Sequence, residues 1–346
     1  MAEGLSRDVV TLIEGDRPMN RRTFLGAFGG SLLTATIAAE AQHASKVWRV
    51  GWLGDGTRAA REVNTLTPLR EGLRELGYVE GKSIFIDARW SDGDRERLAR
   101  DAAEFVRLKM DVIVTHGSVG GTVAKKATTT IPIVVATAAD LVGAGLVASL
   151  ARPGGNVTGT SDQAGEVIKK NLDVIAELVP GLQRVAVLWY RSNPALPPFT
   201  EALQVAARSR GLMVTPLAAA TPDDVTSLIE TAAREQTRGL IVVQDSWTLS
   251  HRAHIAQRAL AKKLPMFASS RLFAEAGALA SYGADIPAVY RHAAVFIDKI
   301  LKGTKPSDIP VEQPTKFEMV INRKTARALG LTIPPSVLLR ADEVIE

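Results

Sequence analysis

The chain contains no cysteine among its 346 residues, and that absence removes several chemistries at once. Disulfides, thiolate metal sites and cysteine nucleophiles are excluded, and so is a lipid-modified cysteine at an export-signal junction. A strong excess of one charge is also missing: 42 basic and 37 acidic side chains leave a formal charge of +5. Lys and Arg are interspersed with Asp and Glu, as in Arg95-Glu96-Arg97, and basic residues cluster only in short pairs such as Lys125-Lys126. This is a solvated mixed surface, and it speaks against nucleic-acid binding. Long apolar runs are absent as well. The N-terminal apolar stretch Gly26 to Ala39 is diluted by Gly29, Gly30, Ser31, Thr34 and Thr36, and falls short of the roughly 20 strongly apolar residues that span a bilayer. What remains is an ordinary globular composition, 46% hydrophobic and 23% charged, with a length that suits about two domains.

The N-terminus reads as an export signal. Arg21-Arg22-Thr23-Phe24-Leu25 precedes the diluted apolar stretch, and Ala39-Glu40-Ala41 places small residues where a signal peptidase cuts. Adjacent arginines before Phe-Leu are similar to a twin-arginine signal. Residues 1–41 are therefore expected to be an N-terminal extension and signal peptide, cleaved after Ala41, with the mature protein in the periplasm. The acidic residues Glu3, Asp8, Glu14 and Asp16 fit poorly ahead of such a signal, so either Met1 or Met19 is the start. The positive charge belongs to the remainder of the chain, because residues 1–41 carry more acidic than basic groups.

From residue 47 onward, short apolar runs alternate with helical patterns. Strands are expected at Val47–Leu53, Ser83–Trp90, Asp111–Thr115, Ile131–Ala136, Val185–Trp189, Met213–Leu217, Leu240–Val243 and Met266–Ala268. Helices are expected at Thr67–Leu76, Arg95–Leu108, after Gly117, Leu141–Leu150, Pro198–Arg210, Asp223–Gln236 and Ser250–Lys262. Strands alternating with helices imply parallel sheets covered on both faces. A break at Pro153–Thr160 separates two such runs, so the fold class is α/β with two doubly wound parallel-sheet lobes. Open parallel sheets bind ligands beyond the carboxyl ends of their strands. The residues to watch are then Asp55, Gly117-Ser118, Thr137–Asp140, Tyr190–Asn193, Gln244–Trp247 and Ser269-Ser270.

Enzyme motifs are lacking. Gly117-Ser118-Val119-Gly120-Gly121 does not have dinucleotide-binding spacing, although a helix N-terminus there favours a small anion such as a carboxylate. Gly77 and Gly81-Lys82-Ser83 are one residue short of a phosphate loop and precede a strand. His251 and His254 lack a third metal ligand nearby and suit a solvated helix face. No catalytic residue, cofactor or metal site is selected.

Longer segments carry a family resemblance. They are Leu69-Arg70-Glu71-Gly72-Leu73-Arg74-Glu75-Leu76-Gly77-Tyr78-Val79-Glu80-Gly81, Gly145 to Gly159 with its Ala151-Arg152-Pro153-Gly154-Gly155-Asn156-Val157-Thr158-Gly159, Ser281-Tyr282-Gly283, Pro310 to Phe317, and Ile333-Pro334-Pro335. In this order they resemble the ABC-transporter substrate-binding family whose better-known members bind tryptophan and other aromatic amino acids, over about residues 47–346. The resemblance implies a type I periplasmic-binding-protein fold with hinge crossings. The first lobe would be 42–158 with 282–310 returning to it, and the second 159–281 completed by 311–346. It implies a monomeric periplasmic receptor that closes on a small solute and hands it to an ABC permease of the inner membrane, and the lack of cysteine adds the expectation of a freely soluble protein with no lipid anchor. A sensory input protein for a receptor is the alternative, and an exported enzyme a weaker one.

For the solute site the expected residues are Asp55, Gly117, Ser118, Asp140, Asn193, Asp245, Ser246, Trp247, Tyr282 and Asp285. Gly117-Ser118 would take an α-carboxylate. Asp245, or Asp140 or Asp285, would take an ammonium group, Asn193 would bridge by hydrogen bonds, and Trp247 would wall the solute. Each also has a plainer role: Asp140, Asp245 and Asp285 as helix caps, Trp247 as lobe packing. The sequence departs from the commoner family pattern at Leu141, which stands in place of proline, and in Tyr190-Arg191-Ser192-Asn193, where Arg191 would suit a more acidic ligand.

Overall fold

A computed structural model describes residues 46–346 apart from Gln163, Pro194 and Ala195. The export signal expected over 1–41 lies outside the described residues. Val47–Glu346 is a single compact unit built on two sheets.

The first sheet contains β1 (Trp48–Gly54), β2 (Ile84–Trp90), β3 (Val112–Thr115), β4 (Ile133–Ala138) and β5 (Val157–Ser161). Their order is β2-β1-β3-β4-β5, with every pair parallel. β3 and β4 are buried throughout, which is why they read as unbroken apolar runs. β2, at the edge, alternates between buried and accessible positions. The second sheet contains β6 (Arg184–Tyr190), β7 (Met213–Ala219), β8 (Leu240–Val242), β9 (Met266–Ala268), β10 (Ala280–Ala284), β11 (Phe317–Asn322) and β12 (Glu343–Ile345), in the order β12-β11-β10-β9-β8-β6-β7. The β10–β11 pairing is antiparallel, and β12 pairs parallel to β11, so both run against the other strands. Pro216 is tolerated in β7 because that strand is an edge.

The chain crosses between the sheets three times. It leaves the first after β5. It returns as the helix Ile286–Leu301, which packs its buried Tyr290, Ala293, Ala294 and Ile297 on Leu66, Leu69 and Leu73 of the helix Leu66–Glu75. It then goes back to the second sheet as β11. Gly72 permits the helix contact, since a Cβ there would sit 2.3 Å from the Arg291 carbonyl oxygen. Two crossings are tied together where Glu312 N donates to Gly159 O and Ser161 N donates to Glu312 O. At that point a Cβ on Gly159 would lie 1.9 Å from Val135 O.

Several expectations are corrected. Leu141–Leu150 is not a helix but a chain of turns. The Asp140 carboxylate accepts from the backbone N–H groups of Val142 and Gly143, and Gly145 takes a left-handed conformation at φ 67°, so local turns outcompete the helix. A helix at Ala164–Leu178, which the sequence pattern did not single out, buries Leu172, Ile175 and Leu178 on the second sheet. The helix expected at Ser250–Lys262 starts at Ser246 and is broken at His251, because Asp245 caps it earlier. The first sheet keeps β5 to Ser161 and the second keeps β10 to Ala284. Both therefore run about a strand's half-length past the bounds at 158 and 281, since side-chain pattern does not mark where a crossing leaves its sheet.

Candidate functional site

The carboxyl ends of both sets of strands face one cavity of about 390 Å³. Asp55 follows β1, Ser91 follows β2, His116-Gly117-Ser118 follow β3, Thr137 ends β4 and Asp162 follows β5. From the second sheet come Tyr190, Asn193 and the Gln244–Trp247 turn. This is the crevice that open parallel sheets reserve for ligands.

A buried polar knot joins the two sides. His116 Nε2 lies 2.5 Å from Asp55 Oδ1. Ser246 Oγ, from the other lobe, donates to the same oxygen at 2.6 Å and is 3.0 Å from His116 Nε2. Burial by itself would raise the Asp55 carboxyl. His116, Arg61 and the Ser246 hydroxyl outweigh it and hold the group well below the usual carboxylate range. Burial and the Arg61 charge lower His116 against the pull of Asp55. A second interlobe bond runs from the Arg95 guanidinium to Ser192 O at 2.5 Å. Both contacts need the lobes close together.

Acidic groups and rings complete the lining. Burial raises Asp162 to about 6, offset only by the 2.7 Å bond that Thr137 Oγ1 donates to it. Asp245 is likewise raised by burial. It caps the short helix Ser246–Ser250 through Thr248 N at 2.8 Å and accepts from Asn193 Nδ2 at 3.3 Å. On the same side the Trp247 ring stacks on Tyr190, with centroids 5.0 Å apart and planes 11° apart, and lies 4.4 Å from the His251 ring. All three line the cavity. His254 is turned away to Pro222 O and Thr226, and no group of three potential metal-ligating side chains occurs among the described residues.

The family model for ABC transporter substrate binding proteins matches residues 62–345. The chain belongs to this family. A tyrosine-binding protein of Clostridioides difficile is 30% identical over 261 residues, 75% of each chain. Among solved structures, an ABC domain from Streptococcus pneumonia in complex with L-Trp is 28% identical with a TM-score of 0.81, covering 87% of this chain and all of that one. The ligand-free, open structure of a substrate-binding protein with adhesive properties from Clostridium difficile is 26% identical with a TM-score of 0.66, covering 86% and 99%. The fold is thus that of the type I periplasmic binding proteins. Proteins of this family bind small solutes and work with membrane permeases, and no described helix is long and apolar enough to cross a membrane.

In this substrate-binding protein, seven of the ten residues expected at the solute site line the cavity: Asp55, Gly117, Ser118, Asn193, Asp245, Ser246 and Trp247. Three do not. Asp140 is exposed and caps its own turn. Asp285 caps the helix Ile286–Leu301 through Ala288 N and pairs with Lys316 at 2.5 Å. Tyr282 is not in the lining: it packs on the core of the second lobe and stacks behind the cavity-lining Phe317, ring centroids 5.9 Å apart. Arg191 is exposed and spends its guanidinium on Ala218 O, so it adds no cation to the cavity. Residues that sequence reasoning passed over include Arg61, His116, Asp162 and Asn171. His116 follows an expected strand and carried that signal; Asp162 follows β5, a stretch the sequence pattern assigns to the break between lobes. Arg61 lies in the four-residue helix Arg58–Arg61 and carried none.

Proposed function

We propose that this protein is the exported, periplasmic solute-binding component of an ABC uptake system and closes its two lobes on an aromatic amino acid. The observation that carries this reading is the ring wall of Tyr190, Trp247 and His251 across a cavity from buried charged groups. An aromatic side chain stacks on the first, and a zwitterionic head needs the second. The known ligands of relatives, tyrosine in one case and L-Trp in another, support it.

The interlobe bonds of Ser246 with Asp55 and of Arg95 with Ser192 support a closed arrangement. So does the higher TM-score against the L-Trp complex than against the open, ligand-free protein of similar identity. Closure is then hinge motion at the crossings. Asp162 takes the ammonium group in this account, because Asp245 is already committed to its cap. Maturation after Ala41, the absence of a lipid anchor and a monomeric state belong to the same proposal.

The test is a thermal-shift screen of the purified protein against the proteinogenic amino acids, aromatic acids and sugars. A ligand at a hundred times its dissociation constant stabilises by about 2.7 kcal/mol. Aromatic amino acids should give the largest shifts. A sugar or an aliphatic amino acid as the best ligand would refute the proposal, and turnover of the bound compound would refute a purely binding role.

A further inference from the structure

We infer that Arg61 is the counter-charge for the ligand's carboxylate, an assignment that rests on the amino-acid cleft proposed above. Arg61 is only 5% exposed, yet it lines the cavity, and its Nε and Nη1 have no hydrogen-bond partner among the described residues. A buried guanidinium with idle donors is strongly unfavourable. Folded proteins keep such a group where something else completes it.

The surroundings of Arg61 do not complete it. Asp55, the carboxylate whose charge it feels, is engaged by His116 and Ser246. The Tyr290 hydroxyl is buried beside the guanidinium and interacts with it, but Nε and Nη1 of Arg61 still have no acceptor in hydrogen-bond geometry among the described residues. The arginine also cannot relax outward. Its carbonyl oxygen is held by Thr65 Oγ1 at 2.8 Å, and its side chain lies so close over Gly56 that a Cβ there would meet its Cδ at 2.7 Å.

A rigid, buried, forked donor lining a ligand cavity is the chemistry that recognises a carboxylate through two parallel hydrogen bonds. The helix N-terminus at Gly117-Ser118 offers about half a positive charge, against the full charge of Arg61, so the arginine dominates. Together with Asp162 it makes the first lobe the reader of the amino-acid head group. The substrate class is thereby narrowed to carboxylate-bearing compounds: an aromatic amine of the same size leaves Arg61 buried and unpaired.

The experiment is calorimetric titration of the wild type and Arg61→Met. The probes are the tightest binder among L-tyrosine, L-tryptophan and L-phenylalanine, and the amine made by removing its carboxylate. If none of the three binds the wild type, the amino-acid reading itself falls. If one binds, Arg61→Met should weaken it about 10- to 100-fold and leave the amine bound at least as well as before. The assignment is overturned by undiminished amino-acid affinity in Arg61→Met. It is equally overturned by parallel loss of acid and amine together with a lower ligand-free melting temperature, the mark of a purely structural arginine.

Discussion

On the first lobe the cleft is lined by Asp55, Arg61, His116 and Asp162, among which Arg61 Nε and Nη1 and His116 Nδ1 have no hydrogen-bond partner among the described residues. On the second lobe it is lined by Tyr190, Trp247 and His251, stacked on one another, and by Asp245, which closes its own capping box with Thr248. One face is finished without a ligand and the other is not. The comparison teaches a division of labour: the second lobe offers shape and polarisable surface, the first offers electrostatic complementarity. The two meet where Ser246 Oγ donates to Asp55 and where the Arg95 guanidinium donates to Ser192 O.

The largest test of this contrast is Trp247→Ala. Buried aromatic anchors cost roughly 2–4 kcal/mol when truncated, so calorimetry should show aromatic amino-acid affinity falling at least thirtyfold. Selectivity over alanine should collapse with it. Retained selectivity would move the ring pocket to the other lobe.

Next comes pH. Asp162 is raised to about 6 by burial, and an ammonium ligand needs its anion, so wild-type affinity should drop about tenfold between pH 7 and pH 5. Without ligand the sign is opposite. The folded protein holds the Asp162 proton more tightly than the unfolded chain, whose carboxyl titrates near 3.8. This group therefore lowers stability as pH rises from about 4 to 6. Asp162→Asn should flatten both profiles. An unchanged affinity profile in that variant would remove Asp162 from the site.

Ser246→Ala deletes the interlobe hydroxyl and should weaken binding only about fivefold, in line with a net hydrogen-bond contribution of about 1 kcal/mol. Small-angle scattering should then show a more open ligand-free ensemble. The smallest effect on binding is expected for Asp285→Ala. Loss of this helix cap costs about 1 kcal/mol of stability in chemical denaturation and leaves affinity unchanged. A large affinity loss there would restore Asp285 to the solute site.

These contrasts also mark what the sequence could disclose. The buried runs of β3 and β4 and the glycine turn after β3 announce a parallel sheet and a crevice at its carboxyl edge, and Asp55, Ser118 and Asp245 follow from that rule. Asp140 and Asp285 obey the same rule of position and fail it, because an aspartate beside a helix or turn start bonds its own backbone as readily as a ligand. Asp162 was hidden because the sequence pattern predicts no strand over Val157–Ser161, the stretch Pro153–Thr160 reading as the break between lobes. Arg61 was invisible for a different reason. Burial of a cation depends on the helix Ile286–Leu301 returning from more than 220 residues away, and no local pattern encodes that.

The central claim is that one lobe reads the amino-acid head and the other its ring. The most direct measurement is calorimetric titration of the wild type with an aromatic amino acid, its aromatic amine, its deaminated acid and alanine. The account predicts one site, tight for the amino acid alone, with each of the other three weaker by about tenfold or more and a negative heat-capacity change from the buried ring. Equal affinity for the amino acid and either the amine or the deaminated acid would contradict it.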